Sequence, residues 1–246
     1  MSRRIVLGYS GDLETAVGIH SLAEAQQAEI VTLTLDLGAN RDLEEIRDRA
    51  LAAGAVRAHV IDAREEFVND FVLPSLQAGA VPDGDPMAAA LARPLIARKL
   101  AEVAAIEQAD EVIDRASTAE NLWGREGDRY LITRSPAEAP DTAAELEITF
   151  ERGAPVAVNG VPMGMTELIE SVAIIAGHHA VGRIPAAGVC REAPAAIVLH
   201  AARAALASAR PAPAAALTGS VRLKLFKGTL QTSRVAALDE AAVPRT

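Results

Sequence analysis

Aromatic side chains are scarce: one tryptophan, two tyrosines and four phenylalanines make up 3% of the 246 residues. The core must therefore be built from Ala, Val, Leu and Ile, and platforms for stacking nucleobases are few. Cysteine is nearly absent as well. Cys190 stands alone, which excludes an intrachain disulfide framework and a multi-cysteine zinc site and suits a reducing, cytoplasmic setting. No apolar run reaches the ~20 residues needed to cross a bilayer, so no membrane partner is expected. The five apolar residues after Met1-Ser2-Arg3-Arg4 are too few for a signal peptide and read as a first strand. Basic residues are outnumbered, 24 Lys and Arg against 33 Asp and Glu, for a net charge of −9 with no basic cluster. Nucleic-acid binding needs phosphate neutralisation by Lys and Arg, so no nucleic-acid partner is expected either.

What is present is globular: 50% of the residues are hydrophobic and 23% charged, over a length sufficient for one large domain or two modest ones. The first half alternates strand-like and helix-like segments. Strands are read at 5–9, 29–35, 58–62 and 111–113, and helices at 13–27, 42–53, 65–77 and 91–108, the last with Arg93-Pro94 near its start. This alternation predicts βαβ units in a Rossmann-like, doubly wound parallel sheet covered on both faces. The second half changes character. Residues 145–150 and 155–159 flank Arg152-Gly153, and 220–226 and 229–233 flank Lys227-Gly228, so each pair predicts an antiparallel hairpin. Helices are read at 165–176 and 195–209, and 210–216 as a linker. The expected organisation is an α/β domain over residues 1–125 and a smaller α+β domain over 126–246.

Tyr9 closes the first strand, and Ser10-Gly11-Asp12-Leu13-Glu14-Thr15-Ala16 follows at its turn into a helix. Further on stand 63–68 (Ala-Arg-Glu-Glu-Phe-Val), 91–97 (Leu-Ala-Arg-Pro-Leu-Ile-Ala) and 120–125 (Glu-Asn-Leu-Trp-Gly-Arg). After these come 135–141 (Ser-Pro-Ala-Glu-Ala-Pro-Asp), 179–184 (His-Ala-Val-Gly-Arg-Ile) and 219–228 (Gly-Ser-Val-Arg-Leu-Lys-Leu-Phe-Lys-Gly). On residues 10–16 the chain resembles the N-type ATP pyrophosphatases, whose loop reads Ser-Gly-Gly-x-Asp-Ser/Thr-Ser/Thr. On the collinear segments together it is similar to argininosuccinate synthase over nearly its whole length. The resemblance implies an adenine nucleotide alpha hydrolase-like first domain, and ATP with Mg as the nucleotide. It also implies a ligase of amino-acid biosynthesis that adenylates citrulline, releases pyrophosphate and lets an amine attack the activated carbon. The nucleotide loop it implies is Tyr9, Ser10, Gly11, Asp12, Leu13, Glu14, Thr15 and Ala16, and Arg93 and Ser117 are implied as substrate-binding remnants.

The departures bear on each site. Asp12 stands where the family has a second glycine, and its carboxylate argues against bound ATP. Glu14 is one methylene longer than the family's Asp, and Ala16 lacks the hydroxyl found there. Asp85-Pro86-Met87-Ala88-Ala89-Ala90 replaces a Tyr-x-x-Gly-Thr-Ser stretch on the citrulline side. The Gly-rich segment that holds aspartate is missing between Ile113 and Ser117, a second citrulline-contacting hydroxyl falls at Glu126, and the family's Tyr aligns with Cys190. The C-terminal arm used in the family's tetramer is cut short. No catalytic residue is assigned.

Bland readings stand beside these. Asp12 and Glu14 also suit ordinary helix capping, or one of them fills the vacant anion position. Arg93 suits a salt bridge as well as an anion contact. Trp123 suits packing as well as stacking. Cys190 reads as an inert thiol, and His178-His179 lacks a third ligand at a telling spacing, so no metal is expected. The functional expectation is a pseudoenzyme that acts by binding a partner or a small ligand. Its expected assembly is a homo-oligomer, or a hetero-oligomer with a related synthase. The alternatives are a divergent ATP-dependent C–N ligase and a chain that supplies half a site to another subunit.

Overall fold

The apolar run after Arg4 forms the centre of a parallel sheet in a computed structural model that describes residues 3–39, 41–79 and 88–236. The chain divides into two units, one of residues 1–67 and 89–121 and one of 68–88 and 122–246. In the first, β1 (Arg3–Gly8), α1 (Leu13–Gln26), β2 (Ala28–Asp36), α2 (Leu43–Ala52) and β3 (Arg57–Asp62) follow in turn. The strand order β3-β2-β1-β4 is completed by β4 (Glu111–Asp114), and every pairing is parallel.

Period-two alternation separates the two faces of this sheet. Ile5, Leu7 and Tyr9 of the β1 end point with Ile30 toward Ala16 and Ile19 of α1 and Ile46 and Ala50 of α2, forming one apolar cluster. Each such large aliphatic side chain contributes about 1.5–3 kcal/mol on burial. The other face carries Arg4, Arg57 and His59, and all three meet Glu107 at the end of α5 (Ala88–Glu107). The Glu107 side chain is buried, and Nη1 of Arg57 and Nε2 of His59 both lie 2.7 Å from its Oε1. Burial pushes this carboxyl up, but hydrogen bonds from His59 and Arg57 outweigh that and leave it below the usual range. A helix therefore covers each face, as the alternation predicts.

Two helices differ from the sequence expectation. The segment read as one helix over 65–77 is α3 (Arg64–Phe67), a π turn over Val68–Val72 and α4 (Leu73–Ala78). Pro74 lies in the first turn of α4 and has no N–H to give, so the ordinary ladder cannot run through it. Helix α5 begins three residues earlier than expected, which puts Pro94 inside it rather than near its start. The short strand β5 (Glu120–Asn121) follows β4 in this unit.

In the second unit, β6 (Gly124–Gly127) precedes a hairpin of β7 (Ala144–Glu151) and β8 (Ala154–Val158) and the short β9 (Val161–Pro162). Then come α6 (Met165–His178), β10 (Arg183–Ile184), β11 (Cys190–Glu192) and α7 (Pro194–Ala209). The chain ends in the hairpin of β12 (Gly219–Phe226) and β13 (Thr229–Ala236). The larger sheet runs β13-β12-β7-β8-β9 and its pairings are antiparallel. Leu146, Ile148 and Phe150 of β7 and Val221, Leu223 and Leu225 of β12 are buried together with Leu168 and Val172 of α6 and Val198 and Leu199 of α7. The residues between them on β12, Arg222 and Lys224, are more exposed, which is the alternation of a sheet covered on one face. Strand β11 pairs antiparallel with β6 and with β10, and buries Glu192. The expected linker holds a single 3₁₀ turn, Ala214–Ala216.

Candidate functional site

Strand β1 ends at Gly8, and the loop from Tyr9 to Asp12 carries the chain into α1, at the carboxyl edge where open α/β sheets bind ligands. Tyr9 and Ala16 turn inward. Tyr9 is 1% exposed, its N–H donates to the Leu33 carbonyl, and its own carbonyl accepts from the Thr34 hydroxyl. The buried Tyr9 hydroxyl has no hydrogen-bond partner among the described residues, and burial raises its pKa, with Arg49 opposing and Asp12 adding. Ala16 belongs to the apolar cluster.

Asp12 is the N-cap of α1. Its Oδ1 accepts from the Thr15 amide at 2.7 Å and the Thr15 hydroxyl at 2.8 Å, and its Oδ2 accepts from the Ser10 hydroxyl. Partial burial pushes this carboxyl up. Hydrogen bonds from the Ser10 hydroxyl, the Thr15 amide, the Thr15 hydroxyl and the Asp12 amide outweigh it and hold the group below the usual carboxylate range. The carboxylate thus takes the hydroxyls of both Ser10 and Thr15 and the Thr15 amide at the helix N-terminus.

The loop is fixed from α2. Gly11 adopts a φ of +83°, and a Cβ built there would lie 2.7 Å from Cγ1 of Ile46. Nη1 of Arg41 donates to the Ser10 carbonyl and Nη1 of Arg49 to the Gly11 carbonyl. Arg49 also pairs with Glu45, and Asp42 caps α2 by accepting from the Glu45 amide at 2.9 Å. Ser10, Gly11, Asp12, Arg41, Asp42, Glu45, Ile46, Arg49 and Ser117 line a cleft of about 420 Å³.

The structure therefore gathers Ser10, Gly11, Asp12 and Ser117 on one cleft, with Thr15 bonded to Asp12. Leu13 and Glu14 lie in the first turn of α1, with side chains outside the described residues. Arg93 is not brought to the cleft. It is exposed in the second turn of α5, the helix on the opposite face of the sheet, so the placement at a helix start is corrected. Residues 85–87 of the altered citrulline stretch lie outside the described residues.

Sequence reasoning missed Arg41, Asp42, Glu45 and Arg49. A signal for them existed. A first helix followed by a second on the same face of a β3-β2-β1 sheet puts the α2 N-terminus beside the β1 loop.

In the second unit Trp123 is buried with its ring edge to His200, at 5.7 Å between centroids, in keeping with packing. His178 and His179 form an edge contact, and no group of three or more metal-ligating side chains occurs among the described residues. Cys190 is half-buried with Sγ 3.7 Å from the Asp128 carbonyl.

Residues 4–121 match the family model of the arginosuccinate synthase N-terminal HUP domain, and residues 110–210 that of the arginosuccinate synthase C-terminal domain. Among curated proteins, the chain is 35% identical over 254 residues to an argininosuccinate synthase of Symbiobacterium thermophilum, covering 74% of this chain and 63% of that protein. It is 33% identical over 252 residues to one from Streptococcus thermophilus, with the same coverage. The chain thus spans about 63% of the length of these relatives. Since 74% of 246 residues is about 182, the first relative carries internal stretches that have no counterpart here. Among solved structures, an NAD+ synthetase from Burkholderia pseudomallei aligns with a TM-score of 0.32 and 22% identity, over 45% of this chain and 52% of that one.

Proposed function

Because the chain belongs to the argininosuccinate synthase family, we propose that it is a synthase-derived scaffold whose nucleotide loop is closed by its own Asp12. On this reading it does not drive ATP-dependent condensation and works by binding a partner or a small ligand that carries no triphosphate. One observation carries it: the Asp12 carboxylate holds the Ser10 hydroxyl, the Thr15 amide and the Thr15 hydroxyl, the donors an incoming phosphate would need. A phosphate approaching within ~4 Å of this carboxylate meets a repulsion of ~1 kcal/mol in water and ~4 kcal/mol at an effective dielectric of ~20. The larger figure is about three decades in affinity. The cleft wall adds to this, since Asp42 and Glu45 offset the two arginines. Burial of Ala16 in the apolar cluster removes the seventh loop position as a donor.

A second reading, a divergent ATP-dependent C–N ligase with a different acceptor, draws support from Ser117 lying on the same cleft as Ser10 and Gly11. Titration calorimetry with Mg-ATP, followed by ATP–pyrophosphate exchange in the presence of citrulline and aspartate, separates the two. No heat up to millimolar ATP and no exchange are expected. Micromolar binding accompanied by exchange would overturn the scaffold reading.

A further inference from the structure

The two guanidinium contacts on the loop carbonyls say more than that the loop is occupied. In a trans peptide the C=O and the following N–H point in opposite directions. With the Gly11 carbonyl held by Arg49, the Asp12 amide is turned away from that guanidinium, and it adds to the hydrogen bonds on the Asp12 carboxylate. With the Ser10 carbonyl held by Arg41, the Gly11 amide is likewise turned from Arg41. Ile46 packs against Gly11, where a Cβ would collide, and Gly11 keeps a left-handed φ that few other residues adopt. Three side chains of α2 and its preceding loop thus set the path of residues 10–12.

We propose that Arg41 and Arg49 are positioning residues that brace the Ser10–Asp12 peptides by their carbonyls, so the loop keeps an anion-accepting shape and is plugged rather than collapsed. This rests on the reading that Asp12 fills the loop. Asp12 is then an intramolecular ligand, and the arginines are what keep its seat formed.

The experiment uses inorganic phosphate as the probe with the full chain. Glycine is nearly as good an N-cap as Asp, so Asp12→Gly opens the seat while α1 persists. Asp12→Gly is expected to bind phosphate at least tenfold more tightly than the wild type. Arg41→Met with Arg49→Met in the Asp12→Gly background abolishes that gain. The ratio between the two variants persists in 1 M NaCl, where the screening length is ~3 Å and a purely long-range charge effect would vanish.

A second measurement does not depend on the multiple variant folding. In Arg49→Met alone, hydrogen exchange at the Asp12 amide is expected to accelerate at least tenfold, with the amides of β1 unchanged. The proposal is overturned if Asp12→Gly binds phosphate no better than wild type, if the arginine effect disappears in high salt, or if the Asp12 amide is indifferent to Arg49. Tight phosphate binding by the wild type would instead overturn the plugged-loop reading itself.

Discussion

Replacing Glu192 by Gln should destabilise the second unit by about 3–5 kcal/mol, the range for breaking a buried ion pair. The Glu192 side chain is fully buried, and five donors converge on it. Oε1 accepts from the amides of Ile132 and Thr133 at 3.1 and 2.7 Å and from the Thr133 hydroxyl at 2.6 Å. Oε2 accepts from the Leu131 amide and from Nη1 of Arg125, both at 2.8 Å. A glutamine keeps one oxygen for the Thr133 side, but its NH₂ then faces the Leu131 amide and the Arg125 guanidinium, donor against donor. Each buried donor left unmatched costs about 1–3 kcal/mol, more when charged. For a chain of this size, 1 kcal/mol shifts Tm by ~2–4 °C, so a fall of roughly 10–15 °C is expected. Urea unfolding with an unchanged slope would confirm that stability, not the unfolded state, has moved.

The pH dependence follows from the same contacts. Burial pushes Glu192 up, but hydrogen bonds from the Thr133 hydroxyl, the Leu131 amide, Arg125 and the Thr133 amide hold it below the usual range. Its contribution is therefore complete above the ordinary pKa of ~4.3 and is lost as pH falls through the lower folded value. The gap between wild type and Glu192→Gln should accordingly close only below about pH 4. A loss under about 1 kcal/mol at pH 7 would refute the reasoning.

Two further outcomes concern the loop. Gly11→Ala places a methyl against Ile46 at a left-handed φ, and is expected to destabilise the first unit by about 2 kcal/mol, read as faster hydrogen exchange across β1 and β2. An effect within about 0.5 kcal/mol would show that the loop yields easily around Ile46. Asp12→Ala removes the N-cap of α1 and should cost about 1 kcal/mol at pH 7. Because the Asp12 carboxyl is held below its ordinary range, that cost should persist down to about pH 4 and fade at lower pH. A cost that grows on acidification would contradict the hydrogen bonds that Ser10 and Thr15 donate to this carboxylate.

Alternating apolar runs and helical spacing made β1, α1, β2, α2, β3 and the two late hairpins legible, because each buries a face with a plain period. Strands β5, β6, β10 and β11 were not legible, since two to four residues establish no period and a single Arg or Glu within so short a stretch carries no sign of burial. Only tertiary structure brings Arg125 and Glu192 together in the interior. The π turn was hidden because Val68, Val72 and Leu76 keep helical spacing around it. At the candidate site, Ser10, Asp12 and Thr15 were legible from the loop motif. Arg41, in the loop before α2, and Arg49, on its polar side, were not, because only the β3-β2-β1 strand order brings both beside the β1 loop.

The poverty in aromatic residues has a practical side. Trp123, the single indole of the chain, is enclosed in the second unit, whereas Tyr9 is the one phenol of the first and Tyr130 the one phenol of the second. Excited at the red edge of its absorption, the indole reports from the second unit. A Tyr130→Phe version would leave Tyr9 as the lone phenolic signal for the parallel-sheet unit. The loss of structure in each half can then be timed separately, in one cuvette, without attaching a dye.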